Sequence, residues 1–77
     1  MVREFRTSDE GKTVLTADGD EVGTIEKIEG DMAHVKPKGS LSRSIRRRLG
    51  WAEDEDMYEV EHAKVQQISG NEVHLKD

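Results

Sequence analysis

The chain has 77 residues, 32% of them hydrophobic and 38% charged, with no cysteine and one each of Phe, Trp and Tyr. This size predicts a single domain with a compact, mostly aliphatic core, near the lower limit for folding without disulfides or metals. The composition argues against disulfides, thiolate metal ligands and a cysteine nucleophile. The short apolar runs argue against a membrane-spanning helix and a signal peptide, which favours a cytoplasmic location.

The formal net charge is −5, from 17 acidic and 12 basic residues. A negative surface repels polyanions at long range, so it disfavours general binding to duplex nucleic acid. The same acidity is typical of proteins that work in concentrated salt. We therefore expect a halophilic origin and a thermal stability that rises with potassium chloride.

The N-terminal third of the chain predicts a loose segment followed by two strands. Residues 1–10 are mainly polar and are expected to be loosely held, apart from Phe5, which we expect to pack against the domain. Residues 12–17 are β-branched and apolar at their centre, which predicts the first strand, and residues 21–25 begin the second. Gly23 inside a strand indicates a bend or the close approach of another backbone.

A 14-residue stretch appears twice in the chain, at residues 23–36 and again, 40 positions later and without a gap, at residues 63–76. Apolar positions of one copy fall on apolar positions of the other. The identical pairs are Ile28 and Ile68, Gly30 and Gly70, His34 and His74, and Lys36 and Lys76. We interpret the two copies as similar β-hairpins, with chance likeness between ordinary hairpins as the alternative.

Each copy carries the signals of a hairpin with a bent first strand. Gly30 and Gly70 begin two-residue turns, and glycine in the first central position favours a type II′ turn. Before the first turn, Ile25 and Ile28 are three residues apart, which strict alternation cannot bury on one face. The second copy has the same spacing. We therefore predict a β-bulge in each hairpin, and bent strands of this kind favour a small barrel.

The spacing of the apolar residues changes after the first hairpin. Apolar residues recur every four positions in residues 40–49, which predicts a short amphipathic helix that packs on the barrel. Residues 52–56 are expected to form an acidic loop, and residues 57–61 alternate as a further strand. The whole is therefore predicted to be mainly β, a partly open barrel of six strands with one short helix between the third and fourth.

The order of these parts resembles the PRC-barrel family. Gly11-Lys12-Thr13-Val14, followed by the run from Asp18 to Ile28, is similar to the opening of that domain. The helix with Leu49-Gly50-Trp51, the acidic loop and Tyr58 resembles small free-standing archaeal members, especially halophilic ones. The resemblance extends from Phe5 onward. It implies a non-enzymatic docking or adaptor module, since the family shares protein docking and has no catalytic motif.

The candidate partner-binding surface is the predicted helix with the adjoining aromatic residues. Guanidinium groups bind oxyanions in bidentate fashion, so the arginines can hold an acidic protein or RNA. The two functions that we keep open are a docking module for a protein partner and an RNA- or ribosome-associated factor. A third possibility is that residues 53–56 neutralise the arginines within the fold. The candidate residues are Arg43, Arg46, Arg47, Arg48, Trp51 and Tyr58.

The sequence signals for a metal site, an enzyme and a homodimer are weaker. His34 and His74 occupy matching positions of the two hairpins and could converge, with His62 as a third ligand, but separate exposed histidines are the favoured interpretation and no metal or cofactor is expected. The carboxylates occur in surface runs, where no general acid is created, so we expect no enzyme. Unpaired barrel edges and the helix would permit a homodimer.

Overall fold

The computed structural model describes residues 3–39, 43–49 and 57–76. Within these ranges the chain forms six strands, one α-helix between the third and fourth strands, and two short 3₁₀ helices at Thr7–Asp9 and His62–Lys64. The strands are β1 (Thr13–Leu15), β2 (Glu21–Glu29), β3 (Met32–Pro37), β4 (Tyr58–Glu61), β5 (Val65–Ser69) and β6 (Glu72–Leu75), and the helix is α1 (Arg43–Leu49). The predicted fold class is confirmed.

The strands form one sheet in the order β4-β3-β2-β1-β6-β5. All neighbours are antiparallel except β1 and β6, which run parallel. The outer strands β4 and β5 are joined in the chain by only His62–Lys64. In a flat sheet they would lie about 24 Å apart, whereas the four Cα–Cα steps from Glu61 to Val65 span at most about 14 Å. The sheet therefore curls into a half-barrel whose two edges approach each other at this connection.

The two hairpins have the same register and the same irregularity. In β2–β3, Ile25 pairs with Val35 and Lys27 with His34, which leaves Glu26 as an extra residue. In β5–β6 the corresponding pairs are Val65 with Leu75 and Gln67 with His74, which leaves Gln66 unpaired. The predicted β-bulges are thus present in both hairpins, at positions 40 residues apart.

The turns also follow the prediction. Gly30 and Gly70 have φ values of 58° and 54°, and no other residue type among those described has a positive φ. A type I′ turn would need positive φ at both central residues, so Asp31 and Asn71 exclude it. The observed φ values are those of a type II′ turn.

One cluster of buried side chains lines the inside of the curled sheet. Phe5 belongs to it, as expected, and Ile28, Ile45 and Ile68 pack against it from partly exposed positions. Since Ile45 lies in α1, the helix is attached to the sheet through its apolar side. The buried hydrophobic residues are Phe5, Val14, Val22, Ile25, Ala33, Val35, Tyr58, Val60, Val65, Val73 and Leu75.

At Gly23 the backbone of β3 leaves no room for a side chain on β2. Gly23 is buried in β2, and a Cβ added there would fall against the backbone carbonyl of Lys36 and 2.9 Å from Cγ1 of Val35. No rotamer change can move a backbone carbonyl, so any side chain would force the two strands apart. The close approach that the sequence indicated is therefore confirmed.

Replacing Gly23 with Ala should lower the free energy of unfolding by about 2–4 kcal/mol, because the added methyl group separates β2 from β3. Gly39→Ala is the matched control. Nothing lies within 4 Å of a Cβ at Gly39, so its effect should stay below about 0.5 kcal/mol. Urea denaturation of both variants measures the difference, and equal effects would refute the close-contact explanation.

Candidate partner-binding site

The basic residues of the chain are concentrated between β3 and the end of α1. Residues 36–48, the basic segment, contain six of the 12 basic residues and no carboxylate. The rest of the chain holds the other six basic residues and all 17 acidic ones. The protein therefore combines a locally positive stretch with a strongly negative remainder.

Helix α1 presents part of this basic segment to solvent. Arg43 and Arg47 are exposed, while Ile45 and Arg46 are half-buried. Ile45 packs against the core, and the Arg46 guanidinium donates a hydrogen bond of 3.3 Å to the Tyr58 hydroxyl. One side of the helix is thus held to the sheet, and the other directs two guanidinium groups outward.

The environment of the exposed arginines can be stated for the described ranges only. There, no carboxylate forms an ion pair with Arg43 or Arg47. The Arg48 side chain, Trp51 and the acidic residues 53–56 lie outside the described part of the chain. The same is true of residues 40–42, where we predicted the start of the helix. Neutralisation of the arginines by residues 53–56 remains a hypothesis.

Tyr58, one of the candidate partner-binding residues, lies inside the fold. It is only 7% exposed and belongs to the core cluster, because alternation along β4 turns Tyr58 and Val60 inward. Its hydroxyl reaches Arg46 of the helix. Tyr58 therefore supports α1 from the inside. Its neighbour in the sequence, Met57, is 43% exposed and is the exposed large hydrophobic residue of the described ranges.

The matching histidines of the two hairpins do not converge. His34 is on β3 and His74 on β6, and two strands, β2 and β1, lie between them in the sheet. Each approaches a carboxylate of its own hairpin, with Nε2–Oε1 distances of 3.7 Å to Glu29 and 3.2 Å to Glu72. The described residues contain no group of three His, Cys, Asp or Glu side chains that could hold a metal ion.

His62 contacts the N-terminal segment. Its ring meets the ring of Phe5 edge to face, with centroids 5.2 Å apart. Its Nε2 lies 2.5 Å from the backbone carbonyl of Arg3, which requires the proton on Nε2. His62 therefore links the connection between β4 and β5 to the N-terminal segment.

The N-terminal segment is fixed by a buried carboxylate. Asp9 has no exposed surface, and its two oxygens accept bonds from both terminal nitrogens of Arg3, at 3.0 and 2.8 Å. Lys12 Nζ approaches at 2.9 Å, and the Arg6 backbone N–H donates at 2.9 Å. Hydrogen bonding from Arg3, followed by that from Lys12, holds the pKa of Asp9 well below its usual range, against the effect of burial.

Over residues 3–10 this arrangement differs from the loosely held segment that we expected, and residues 1 and 2 lie outside the described part of the chain. Asp9 holds residues 3–12 together, and Phe5 and the backbone hydrogen bonds of Gly11 and Lys12 with Ile25 attach them to the sheet. The sequence signal was weak, because aspartate is rarely buried unless it is paired and nothing in the residue order shows which cations will reach it.

An open groove lies between this segment and the first hairpin turn. Its volume is about 550 Å³, and its lining combines the rings of Phe5 and His62 with charged side chains. It is found at the Gly30 end of β3, whereas the basic segment begins at the other end of that strand. The lining residues are Glu4, Phe5, Arg6, Thr7, Ile28, Gly30, Asp31 and His62.

The comparisons with known proteins identify a family and no activity. The sequence profile of a family described as a family of unknown function, DUF8593, matches residues 5–75, so the chain belongs to that family. The search of curated proteins produced no match. None of the helices in the described ranges has the length and hydrophobicity needed to cross a membrane. Family membership therefore brings no substrate, partner or compartment with it.

Replacing Asp9 with Asn should reduce the free energy of unfolding at pH 7 by about 2–3 kcal/mol, because Arg3 and Lys12 would lose their common carboxylate. The folded-state pKa of Asp9 is lowered, so its contribution is present above the unfolded pKa of about 3.9 and is lost as the pH falls below it.

The wild-type protein should therefore lose stability on acidification more steeply than Asp9→Asn. The control is Asp20→Asn, which removes an exposed carboxylate and should keep the wild-type pH dependence. Chemical denaturation between pH 7 and pH 2 would measure all three proteins. Parallel curves for wild type and Asp9→Asn would contradict this assignment.

Proposed function

We propose that this protein is a non-enzymatic docking module of the PRC-barrel type that binds an acidic surface of a protein partner through the exposed face of α1. One observation carries the proposal. Arg43 and Arg47 extend from a helix that Ile45 and Arg46 attach to the sheet, and no described carboxylate pairs with either of them.

The chemistry of these two residues suits a carboxylate partner. A guanidinium group is planar, permanently charged and able to donate two parallel hydrogen bonds to one carboxylate. Because one side of α1 is already packed on the sheet, less conformational entropy is lost when the other side binds than would be lost from a free segment. The Met57 side chain, next to the buried Tyr58 in the sequence, is exposed and offers an adaptable apolar contact.

The distribution of charge favours a compact acidic protein over a long polyanion. A protein with one acidic patch can meet the basic segment and leave the acidic remainder of this chain in solvent, which also orients the two molecules. An RNA strand that extends beyond the basic segment would meet repulsion from the acidic residues around it. The alternative function as an RNA- or ribosome-associated factor uses the same arginines, and the experiment below separates the two.

The proposal includes a cellular location, the cytoplasm of a salt-adapted organism. The composition fits a cytoplasm of high ionic strength, where charged contacts are screened over a few ångströms. Under those conditions the apolar contact of Met57 would supply a larger share of the affinity. The resemblance to PRC-barrel domains supports a docking role, and the match to DUF8593 leaves that resemblance as a prediction.

The test is affinity capture of the tagged protein from the lysate of its own organism, with and without nuclease, beside the double variant Arg43→Glu/Arg47→Glu. We expect a defined protein that survives nuclease and is lost in the variant. Lys64→Glu/Lys76→Glu is the matched control, because it makes the same change of charge on the second hairpin and should retain the partner.

Two outcomes would contradict the proposal. If both double variants lose the partner equally, the effect is one of net charge and not of the α1 face. If only nucleic acid is captured, or only proteins that nuclease releases, the RNA-associated function replaces the docking function. Circular dichroism of each variant establishes that it is folded before capture is compared.

A further inference from the structure

The two edges of the curled sheet differ in charge. The edge strand β4 carries Glu59 and Glu61, both exposed. The other edge strand, β5, consists of Val65, Gln66, Gln67, Ile68 and Ser69 and has no charged residue, in a chain of which 38% is charged. Sheet edges are commonly protected from pairing by charged side chains. The β5 edge lacks this protection.

In the first hairpin, the backbone N–H at the corresponding position has a hydrogen-bond acceptor within the chain. The Ile28 N–H, which points away from β3, donates a hydrogen bond of 3.1 Å to the carboxylate of Glu10. Ile68 is its counterpart, since the two hairpins have the same register and the same turn. Its N–H and C=O therefore point away from β6, toward the open edge. Among the described residues, no carboxylate bonds to Ile68.

The residues at the two bulges show the same difference in charge between the hairpins. The first hairpin has Glu26 and Lys27 at its bulge, and the second has Gln66 and Gln67 at the same two places. The hairpin whose outer strand is an edge thus has neutral amides where the other hairpin has charged side chains. Neutral amides can approach an identical strand without repulsion.

We propose that β5 is a self-association site, at which β5 of a second copy of this chain pairs antiparallel about a two-fold axis. Ile68 would face Ile68 of the other copy, and the two residues would exchange a pair of backbone hydrogen bonds. An antiparallel arrangement follows from two-fold symmetry, which brings the same patch of both copies together. It is also the direction in which β1 lies against the matching strand β2.

The distribution of charge favours a second copy as the partner and β5 as the edge that pairs. Each copy has a net charge of −5, so two copies approach most easily where neither places a carboxylate. Pairing of β4 with β4 would bring Glu59 and Glu61 against the same residues of the other copy, and directly opposed like charges destabilise a strand pair. Pairing of β5 with β5 brings together amide, hydroxyl and aliphatic groups only.

The test combines sedimentation velocity with amide hydrogen exchange over a range of protein concentrations. We expect a concentration-dependent dimer, and exchange of the Ile68 N–H that slows as the protein concentration rises. The Ile28 N–H serves as the internal control, because its acceptor is Glu10 of the same chain and its exchange should not depend on concentration.

The variant Gln67→Lys introduces the residue that the first hairpin already tolerates at this place, so it should fold. It should weaken dimerisation by about fivefold or more, because a lysine now lies beside the pairing edge. The change also makes the net charge less negative, so a general charge effect would strengthen dimerisation instead. The matched control Lys27→Gln, the reverse change on the first hairpin, should leave dimerisation unchanged.

Three results would overturn the proposal. The protein could remain monomeric up to the highest concentration measured. Ile68 could exchange at a rate independent of concentration while the protein dimerises, which would place the interface elsewhere. Finally, Gln67→Lys and Lys27→Gln could weaken dimerisation equally, which would exclude a contact specific to β5.

Discussion

The β-bulge in each hairpin is the constraint on which the rest of this structure depends. A regular strand alternates its side chains, so residues three apart face opposite sides. Ile25 and Ile28 can both pack on the core only because Glu26 is an extra residue, and Gln66 has the same effect in the second hairpin. A bulge also bends its strand and increases its twist. Two bent hairpins, joined through β1, favour the curl that brings the sheet edges together, and the pairing of β1 with β2 has a further irregularity between Val14 and Leu15.

The surfaces that we consider functional follow from this curl. Curling allows β4 and β5 to be joined by His62–Lys64 while both remain edges. It also gives a concave core on which Ile45 of α1 can pack, so that the helix presents Arg43 and Arg47 outward. The basic face of α1 and the uncharged edge of β5 are thus distinct surfaces, one suited to an acidic partner and the other to an identical copy.

Short-range signals in the sequence were sufficient to predict the hairpins and insufficient to predict which polar and aromatic side chains are buried. The spacing of Ile25 and Ile28, the turn at Gly30 and the glycine at position 23 each predicted a local feature that the structure contains. Asp9 is buried between Arg3 and Lys12, which lie six and three residues away along the chain, and no pattern in the residue order showed that these cations would meet a buried carboxylate. Tyr58 was misplaced for a similar reason, since an aromatic residue fits a core and an interface equally well.

The measurement that tests the role of the bulges most directly is the stability of a variant that lacks Gln66. Deleting this residue joins Val65 to Gln67, whose partners Leu75 and His74 are already consecutive, so the ladder becomes regular and every remaining side chain keeps its face. Only the bend is removed. If the bend is required for the curled sheet, the free energy of unfolding should fall by about 1–3 kcal/mol. A deletion variant as stable as the wild-type protein would contradict this account.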